Sequence, residues 1–429
     1  MSFSVLFEQM NAIFGEALYV IFISIPFWGF FLFGFLAIEM YLRYIRADWI
    51  FKQGSVLLEL KLPKEILKSP RAMELFFTTT FQQGSVGTLK EVYVDGRVRP
   101  WWSFELVSIG GQVKFFIWSH KKWKHLIETQ LYGQYPQLEI YDVTNDDYAK
   151  KVFWDPAKRG MWGTYFKLAA DDTIPIKTYI DYELDKDPKE EFKIDPMTSM
   201  IEYLGGLKEG EQSWFQILVQ PHGEETLKNG HLKHKDPWKK RVEKAINEIR
   251  ASTLSTEDIE KKAKFNDARL SPAERDKIKA MERHLGKVPY DVVIRAMYVG
   301  EEGHFNAINI PGMIGAFQQY GSPSLNGIRL AWNTDIADRS KDIVWLTSWL
   351  GFPTRIAENI VAKYKTSMLS AYKQRSVFQY PYKHKHITPY VLTTEELATI
   401  FHFPGEVSQT PTFERVNSTK ASAPANLPI

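Results

Sequence analysis

The feature that most constrains this chain is an uncharged apolar segment near its N-terminus, Ala17–Ile38, which reads ALYVIFISIPFWGFFLFGFLAI. In an α-helix these 22 residues span about 33 Å, close to the thickness of the hydrocarbon core of a bilayer. A buried helix of a globular domain normally shows a polar stripe on one face, and this segment has none. The sequence therefore predicts a single membrane-crossing helix over residues 17–42.

The charges on either side of this segment predict its orientation. Residues 1–16 contain glutamate but no lysine or arginine, whereas Arg43, Arg46 and Lys52 follow the segment directly. The positive-inside rule places those three residues in the cytoplasm. We therefore expect a single-pass protein of the inner cell membrane, with a short extracytoplasmic N-terminus and the bulk of the chain in the cytoplasm. A cleaved signal peptide is disfavoured, because its basic residues would precede the apolar run and a small-x-small cleavage site would follow it.

Composition limits the chemistry that the chain can perform. Its 429 residues are enough for two or three domains after the apolar segment. The absence of cysteine excludes disulfides, iron–sulfur clusters, thiolate zinc sites and cysteine nucleophiles. A formal net charge of +3 is too small to indicate nucleic-acid binding by itself.

Residues 55–150 are predicted to follow the order β-α-β-β-α-β. Strand-like alternation marks 55–62, 101–109, 113–117 and 138–143, and apolar residues at helical spacing mark the two helices. Gly110-Gly111 predicts a two-residue hairpin turn between the second and third strands. This order is the ferredoxin-like plan.

The same order is predicted to recur over residues 160–331. Ile174–Tyr182 is a predicted strand with Thr164–Leu168 as its candidate partner, and later strands are predicted at Ser213–Gln220, Asp291–Val299 and Leu325–Leu330. Residues 222–287 replace the tight hairpin and are predicted to form a helical hairpin that extends into solvent or meets a partner. A capping box at Ser271–Glu274 begins its second helix.

The predicted fold class is therefore α+β, with an N-terminal transmembrane helix followed by two ferredoxin-like domains, the second with a helical-hairpin insertion. A helical region follows at 332–403. The last segment, 404–429, is rich in Pro, Ser, Thr and Ala and is predicted to be an extended tail.

Catalytic and metal-binding motifs are missing from the sequence. The fragment nearest to a phosphate-binding loop, Gly206–Ser213, lacks the required lysine. The histidine pairs His231/His234 and His384/His386 lie among lysines, which repel a cation, so ordinary surface histidines are favoured over metal ligands. No nucleophile elbow or zinc-protease helix is present. We therefore predict a protein that is not an enzyme and has no catalytic, cofactor-binding or metal-binding residue.

Basic residues interleaved with aromatic ones offer one alternative function, because cations beside stackable rings suit single-stranded nucleic acid. These stretches could equally be solvated helix faces whose aromatic residues pack into the core, and both interpretations stay open. The candidate nucleic-acid contacts are Lys239, Lys240, Arg241, Lys373, Arg375, Lys383 and Lys385.

The C-terminal region resembles a known family. Leu392–Pro404, LTTEELATIFHFP, followed by Thr410-Pro411 and by Pro424-Ala425-Asn426-Leu427-Pro428, is similar to the segment just before the motor domain of conjugative and type IV secretion ATPases. The resemblance extends more loosely back to Ser55, and Asn309–Asn326 also looks like this group. In the family the Asn-Leu-Pro end leads into the phosphate-binding loop, whereas this sequence ends at Ile429.

The resemblance implies a non-catalytic membrane component of a conjugation-like or type IV secretion-like machine for DNA transfer. Such a component would scaffold or dock a separate ATPase at the cytoplasmic face, with DNA and further copies of itself as other possible partners. The alternative is a membrane-anchored nucleic-acid-binding protein. The candidate docking residues on the matching segment are Glu395, Glu396, Leu397, Phe401, Pro404, Asn426, Leu427 and Pro428.

Overall fold

The structure is a computed structural model. It describes residues 3–63, 68–81, 87–153, 155, 159–186, 194–223, 225–228, 231–235, 238–252, 270–334, 355–379 and 387–405. For some of these it describes the backbone and not the side chains, namely 3–14, 17, 18, 21, 25–28, 225–228, 231–235 and 355–361.

The described residues form the following elements. The strands are β1 (Ser55–Lys61), β2 (Trp102–Ile109), β3 (Gln112–His120), β4 (Glu139–Asp142), β5 (Arg159–Leu168), β6 (Glu211–Pro221), β7 (Glu225–Lys228), β8 (His231–Lys235), β9 (Pro289–Glu301), β10 (Ile328–Asn333) and β11 (Tyr390–Thr393). The helices are α1 (Phe3–Gln53), α2 (Pro70–Thr80), α3 (Leu89–Tyr93), α4 (Lys124–Gln134), α5 (Tyr148–Lys151), α6 (Pro196–Gly205), α7 (Trp238–Ala251), α8 (Pro272–Leu285), α9 (Asn309–Gly315), α10 (Arg355–Gln374) and α11 (Thr394–Ile400).

Nine of these strands form one antiparallel sheet. Its order is β10-β5-β9-β6-β2-β3-β1-β4, and β11 pairs with the start of β9 on the side where β5 pairs with the rest of it. The strands of each half, β1 to β4 and then β5, β6, β9 and β10, lie in the order fourth, first, third, second. The two second strands therefore meet at the centre, where Trp102–Ile109 pairs along its whole length with β6.

This central pairing corrects the predicted fold class, because the strands assigned to two ferredoxin-like domains belong to one continuous sheet. The free N–H and C=O groups of β2 and of β6 would each form an exposed sheet edge if the halves were separate. An unpaired edge tends to associate with another strand, and here the two edges satisfy each other. The described body is one α+β unit built on a continuous sheet.

Helices cover both faces of the sheet. One core lies under α2, α4, α6, α9 and α11, where Met73, Ile127, Ile201, Met313 and Leu397 pack on the inward side chains of the strands. A second core lies on the opposite face, under α5 and α10. The C-terminal helix α11 packs between α2 and α6, so the end of the described chain is part of the first core.

The region between β6 and β9 is a β-hairpin followed by two packed helices. Strands β7 and β8 pair antiparallel, and α7 and α8 share a small core through Trp238, Val242, Ile278 and Met281. Val391 of β11 belongs to the same core. The predicted helical pair is therefore packed against the body instead of extending freely from it. The capping box at Ser271 is confirmed, with Glu274 accepting from the Ser271 N–H at 2.8 Å.

The first strand of the second half is β5, and the prediction of a strand at Ile174–Tyr182 is wrong. In that segment only Ile176 forms a bridge, with Asn326. Two aspartates favour turns here, because Asp171 accepts the N–H of Thr173 at 3.0 Å and Asp181 accepts the N–H of Thr178 at 2.9 Å.

The helix α1 runs without a break from Phe3 to Gln53, and its C-terminal end packs on the body. Leu42, Ile45 and Arg46 are buried. Trp49 lies edge-on to His120, with ring centroids 6.4 Å apart. Two of the three basic residues predicted to flank a membrane span are paired within α1, Arg43 with Glu39 at 3.9 Å and Lys52 with Asp48 at 2.7 Å.

The prediction of a transmembrane helix over residues 17–42, and with it the description of the chain as a single-pass membrane protein, is corrected by the structure. Among the residues that it describes, no helix combines the length and the apolar character needed to cross a bilayer.

Candidate functional site

A cleft of about 420 Å³ opens where α2, the turn before β9 and the start of α11 meet. Its walls come from α2, from residues 179–185, from the turn at 286–288 and from α11, so it lies where distant parts of the chain join. Its polar lining includes Arg71, Glu74, Thr78, Tyr179, Lys287 and Thr394.

The carboxylate of Glu74 is the centre of this cleft. It accepts hydrogen bonds from the Tyr179 hydroxyl at 2.5 Å and from Lys287 Nζ at 2.6 Å. Lys287 Nζ also lies 3.6 Å from Glu395 Oε2. Burial and the contact with Glu74 raise the pKa of Tyr179, so this hydroxyl stays protonated and acts as a donor. The contacts of Lys287 with Glu74 and Glu395 therefore link α2 to α11.

The two glutamates of α11 are buried and hold this helix in place. Glu395 Oε1 accepts from Thr178 Oγ1 at 2.6 Å and from Arg283 Nε at 2.9 Å. Glu396 Oε2 accepts from the Thr393 N–H at 2.8 Å, and Glu396 Oε1 accepts from the N–H of Ile176 at 3.0 Å. Both carboxylates thus join α11 to the segment around Ile176 and Thr178, and Glu395 also joins it to α8.

Burial dominates the acid–base behaviour of this region. It raises the pKa of Glu396 to about 7 and also raises the pKa of Glu395. It lowers the pKa of His284, which faces Glu396 and Thr393, to about 4. Groups with pKa values shifted this far from their ordinary values occur both at functional sites and in structural polar networks. Here the network is structural in its contacts, since each of these side chains bonds to the segment that it secures.

The structure places the candidate docking residues in two groups. Glu395, Glu396, Leu397, Phe401 and Pro404 are buried within the body. Their side chains are therefore turned away from any surface that a partner could reach. The other three candidates, Asn426, Leu427 and Pro428, lie outside the described residues.

Arg375, a candidate nucleic-acid contact, is buried on the other face of the sheet. Its guanidinium donates to Glu105 through Nε at 2.7 Å and Nη2 at 3.1 Å, and to Asp147 through Nη1 at 2.7 Å and Nη2 at 3.0 Å. Tyr148 and Gln216 also donate to Glu105, at 2.8 and 2.6 Å. With all three nitrogens bound to carboxylates, Arg375 is not positioned to contact a phosphate backbone.

The other candidate nucleic-acid contacts are dispersed. Lys239 and Lys240 are exposed on α7, whereas Arg241 pairs with Asp172 at 2.8 Å. Lys373 donates to the carbonyl of Val152. Lys383 and Lys385 lie outside the described residues. Lys373 and Arg375 lie together at the end of α10, which packs on one core. Lys239, Lys240 and Arg241 lie on α7, which packs on another core. The described candidates therefore do not form one basic surface.

Sequence reasoning missed Glu74, Tyr179, Lys287 and Glu105. Glu74 contacts Tyr179 and Lys287, and each of these partners is more than 100 residues away from Glu74 in the sequence. No local motif marks the three residues. Glu105 alternates with apolar residues in β2, as a residue on the solvent face of a half-buried strand would. Its burial depends on α10 covering that face, which local periodicity does not reveal.

Much of α1 carries exposed apolar side chains, and patches of this kind mark contact surfaces. The large ones on its described part are Tyr19, Val20, Phe22, Ile23, Phe30, Phe31, Leu32, Phe33, Phe35, Leu36, Ile38, Met40, Tyr41, Tyr44 and Phe51.

Comparison with known proteins gives one finding about kinship. No curated protein matches the chain. A family model described as a domain of unknown function, DUF8128, matches residues 80–328, which is more than half of the chain. The matched region runs from the end of α2 to the start of β10, so it contains the central β2–β6 pairing that joins the two halves. The chain belongs to the DUF8128 family.

Proposed function

We propose that this protein is a non-catalytic scaffold that docks a separate ATPase through its C-terminal segment, in a conjugation-like or type IV secretion-like assembly. One observation carries the proposal. The helix α11, which lies in the segment similar to the pre-motor region of those ATPases, is locked inside the body by buried polar contacts.

Aromatic residues directly after α11 add to this attachment. Phe401 packs against Phe104 and Phe115, with ring centroids 5.3 and 5.8 Å apart, and Phe403 packs against Tyr135 at 4.8 Å. Each fully buried side chain of this size contributes about 1.5–3 kcal/mol through loss of contact with water. Pro404 is therefore held at a fixed position on the body, and a partner bound by the residues that follow it would be tethered to that position.

The burial of α11 changes which residues can make the contact. Glu395, Glu396, Leu397, Phe401 and Pro404 act as the anchor in this proposal. The contact itself is assigned to residues 405–429, and in particular to Asn426, Leu427 and Pro428, the part that is similar to the family's entry into its phosphate-binding loop.

The test uses the full chain, a chain ending at Gly405 and a purified ATPase encoded by a neighbouring gene. The full chain should retain the ATPase in a pull-down, and the shortened chain should retain at least about tenfold less, a loss of about 1.4 kcal/mol in binding free energy. Both proteins should unfold at the same temperature, which excludes damage to the body.

A triple variant sharpens the assignment. Replacing Asn426, Leu427 and Pro428 by alanine should reproduce the loss of binding, while replacing Asn417, Ser418 and Thr419 by alanine serves as a matched control in the same segment. Equal ATPase binding by the full and shortened chains would refute the docking role of the segment.

A further inference from the structure

A second cavity, of about 110 Å³, lies on the α10 side of the sheet, where β1 begins and α10 ends. Its polar lining is mostly cationic or hydroxyl-bearing, with one carboxylate. The polar residues are Ser55, Thr144, Asp147, Lys150, Lys373, Gln374 and Arg375.

Two of these residues form a fixed floor. Asp147 binds the guanidinium of Arg375 and accepts the N–H of Ala149 at 3.0 Å. Thr144 Oγ1 accepts the N–H of Leu57 at 3.0 Å and donates to Asp142 at 2.6 Å. The donors and acceptors of the floor are thus largely occupied, and they set the shape of the cavity.

The two lysines have donor capacity left. Lys373 Nζ donates to the carbonyl of Val152 at 2.6 Å, which uses one of its three protons. Lys150 Nζ is exposed and lies 3.8 Å from Asp147. Burial lowers the pKa of Lys373, and the charge of Arg159 lowers it further, so an added anion would stabilise its charged form. Ser55 adds a hydroxyl at the same rim.

The charge balance also favours an anion. Three cations and one carboxylate line the cavity, which gives a formal charge of +2. When Glu105, which binds Arg375 from behind, is included, one positive charge remains. Cationic concavities of this kind concentrate anions.

We propose that this cavity binds the phosphate group of a small molecule, either inorganic phosphate or a small phosphate monoester. Its volume equals that of roughly three or four water molecules, which accommodates one tetrahedral oxyanion and leaves any ester group outside. Lys150 and Lys373 supply the charge, and Ser55 supplies a neutral donor. The site lies apart from the C-terminal segment, so it does not depend on the docking role.

The test is a titration of the full chain with inorganic phosphate and, separately, with adenosine monophosphate, followed by ³¹P NMR line broadening and calorimetry. Saturable binding with a Kd of about 1 mM or tighter supports the proposal. Saturation by inorganic phosphate alone identifies the free ion as the ligand, and saturation by both identifies the phosphate group of an ester. No saturable binding of either ligand overturns the proposal.

Variants separate the cavity from diffuse charge attraction. Lys150→Met and Lys373→Met should each weaken binding at least about tenfold, because each removes a charge-assisted contact. Lys151→Met is the matched control, since this neighbouring lysine pairs with Asp146 and does not line the cavity. Equal weakening by Lys150→Met and Lys151→Met would overturn the site. Lys150 is exposed, so its variant keeps the test valid even if Lys373→Met fails to fold.

Discussion

Replacing Arg375 by methionine should destabilise the protein severely. The guanidinium lies between Glu105 and Asp147, all three side chains are buried, and its three nitrogens donate four hydrogen bonds to them. Removing one partner of a buried ion pair typically costs about 3–5 kcal/mol, because a charge is left without compensation. Here two carboxylates lose their shared cation, so we expect a loss at or above the upper end of that range at pH 8.

The pH dependence of this loss provides a sharper check than its size. In the native protein burial raises the pKa of Asp147, but the hydrogen bond and charge of Arg375 outweigh burial, and the net pKa lies below its usual value. The folded state thus gains stability from the ionised carboxylate, and that gain is lost only in acid, as pH falls through the lowered pKa. Without Arg375, only the Ala149 N–H and the charge of Lys150 oppose the effect of burial on Asp147, so the pKa of this carboxylate rises and mild acid neutralises it more readily. The destabilisation should therefore be smaller at pH 5 than at pH 8.

Urea unfolding followed by tryptophan fluorescence at pH 5 and pH 8 measures both effects. Arg375 has a left-handed backbone, with φ of 49°, and methionine also carries a Cβ, so the backbone strain is the same before and after the change. Arg329→Met is the control for loss of an exposed arginine and should change the unfolding free energy by no more than about 0.5 kcal/mol. A loss below about 1 kcal/mol for Arg375→Met, or a loss that grows toward acid pH, contradicts the assignment of Arg375 as the buried counter-ion.

Three further predictions concern other parts of the molecule. Burial lowers the pKa of His120 from 6.5 to about 4, so the unfolded state binds the imidazole proton more tightly than the folded state does. The free energy of unfolding should therefore fall by about 3 kcal/mol between pH 6.5 and pH 4. His120→Phe should remove this part of the pH dependence, as measured by urea unfolding. Gly111 has φ of 84°, and an added Cβ would lie 2.6 Å from the Leu207 carbonyl oxygen. Gly111→Ala should therefore lower the free energy of unfolding by at least about 1 kcal/mol. Gly133 lies on α4 with open space around it, so Gly133→Ala should raise the free energy of unfolding by about 0.5–1 kcal/mol; thermal unfolding measures both changes. If the nucleic-acid alternative is correct, changing Lys239 and Lys240 together to glutamine should reduce the salt slope of single-stranded DNA binding by about 1.4, and the absence of binding at low salt rules the alternative out.

Local features of the fold were predictable because they depend on neighbouring residues. The hairpin at Gly110-Gly111 is confirmed, with Ile109 pairing with Gln112 and both glycines at positive φ. The pairing of β2 with β6 was not predictable in the same way. The apolar pattern of a strand reports which faces of the sheet are covered, and it is the same for an edge strand and a central strand. It therefore does not reveal which other strand lies beside it.

The candidate site was harder to predict because its charges are buried. Thr393 and Glu396 indicate the start of a helix, and acidic residues in a first turn usually face solvent, where they interact with the helix dipole. The structure buries both glutamates instead: Arg283 and Lys287 reach Glu395 from the end of α8 and the turn that follows it, and the N–H of Ile176 donates to Glu396. Those partners are more than 100 residues away in the sequence, and only the tertiary fold brings them to α11.

The burial of α11 also decides how the C-terminal segment can work. A helix that bound a partner through Glu395 and Glu396 would have to leave the body, and the contacts of Glu395 with Arg283 and Thr178 and of Glu396 with the Ile176 N–H would then be lost. Breaking such contacts costs several kcal/mol, which a transient partner would have to supply. A segment that binds beyond Pro404 avoids this cost, because α11 keeps all of its contacts. The same contacts that remove α11 from the surface therefore make it suitable as an anchor for a partner bound farther along the chain.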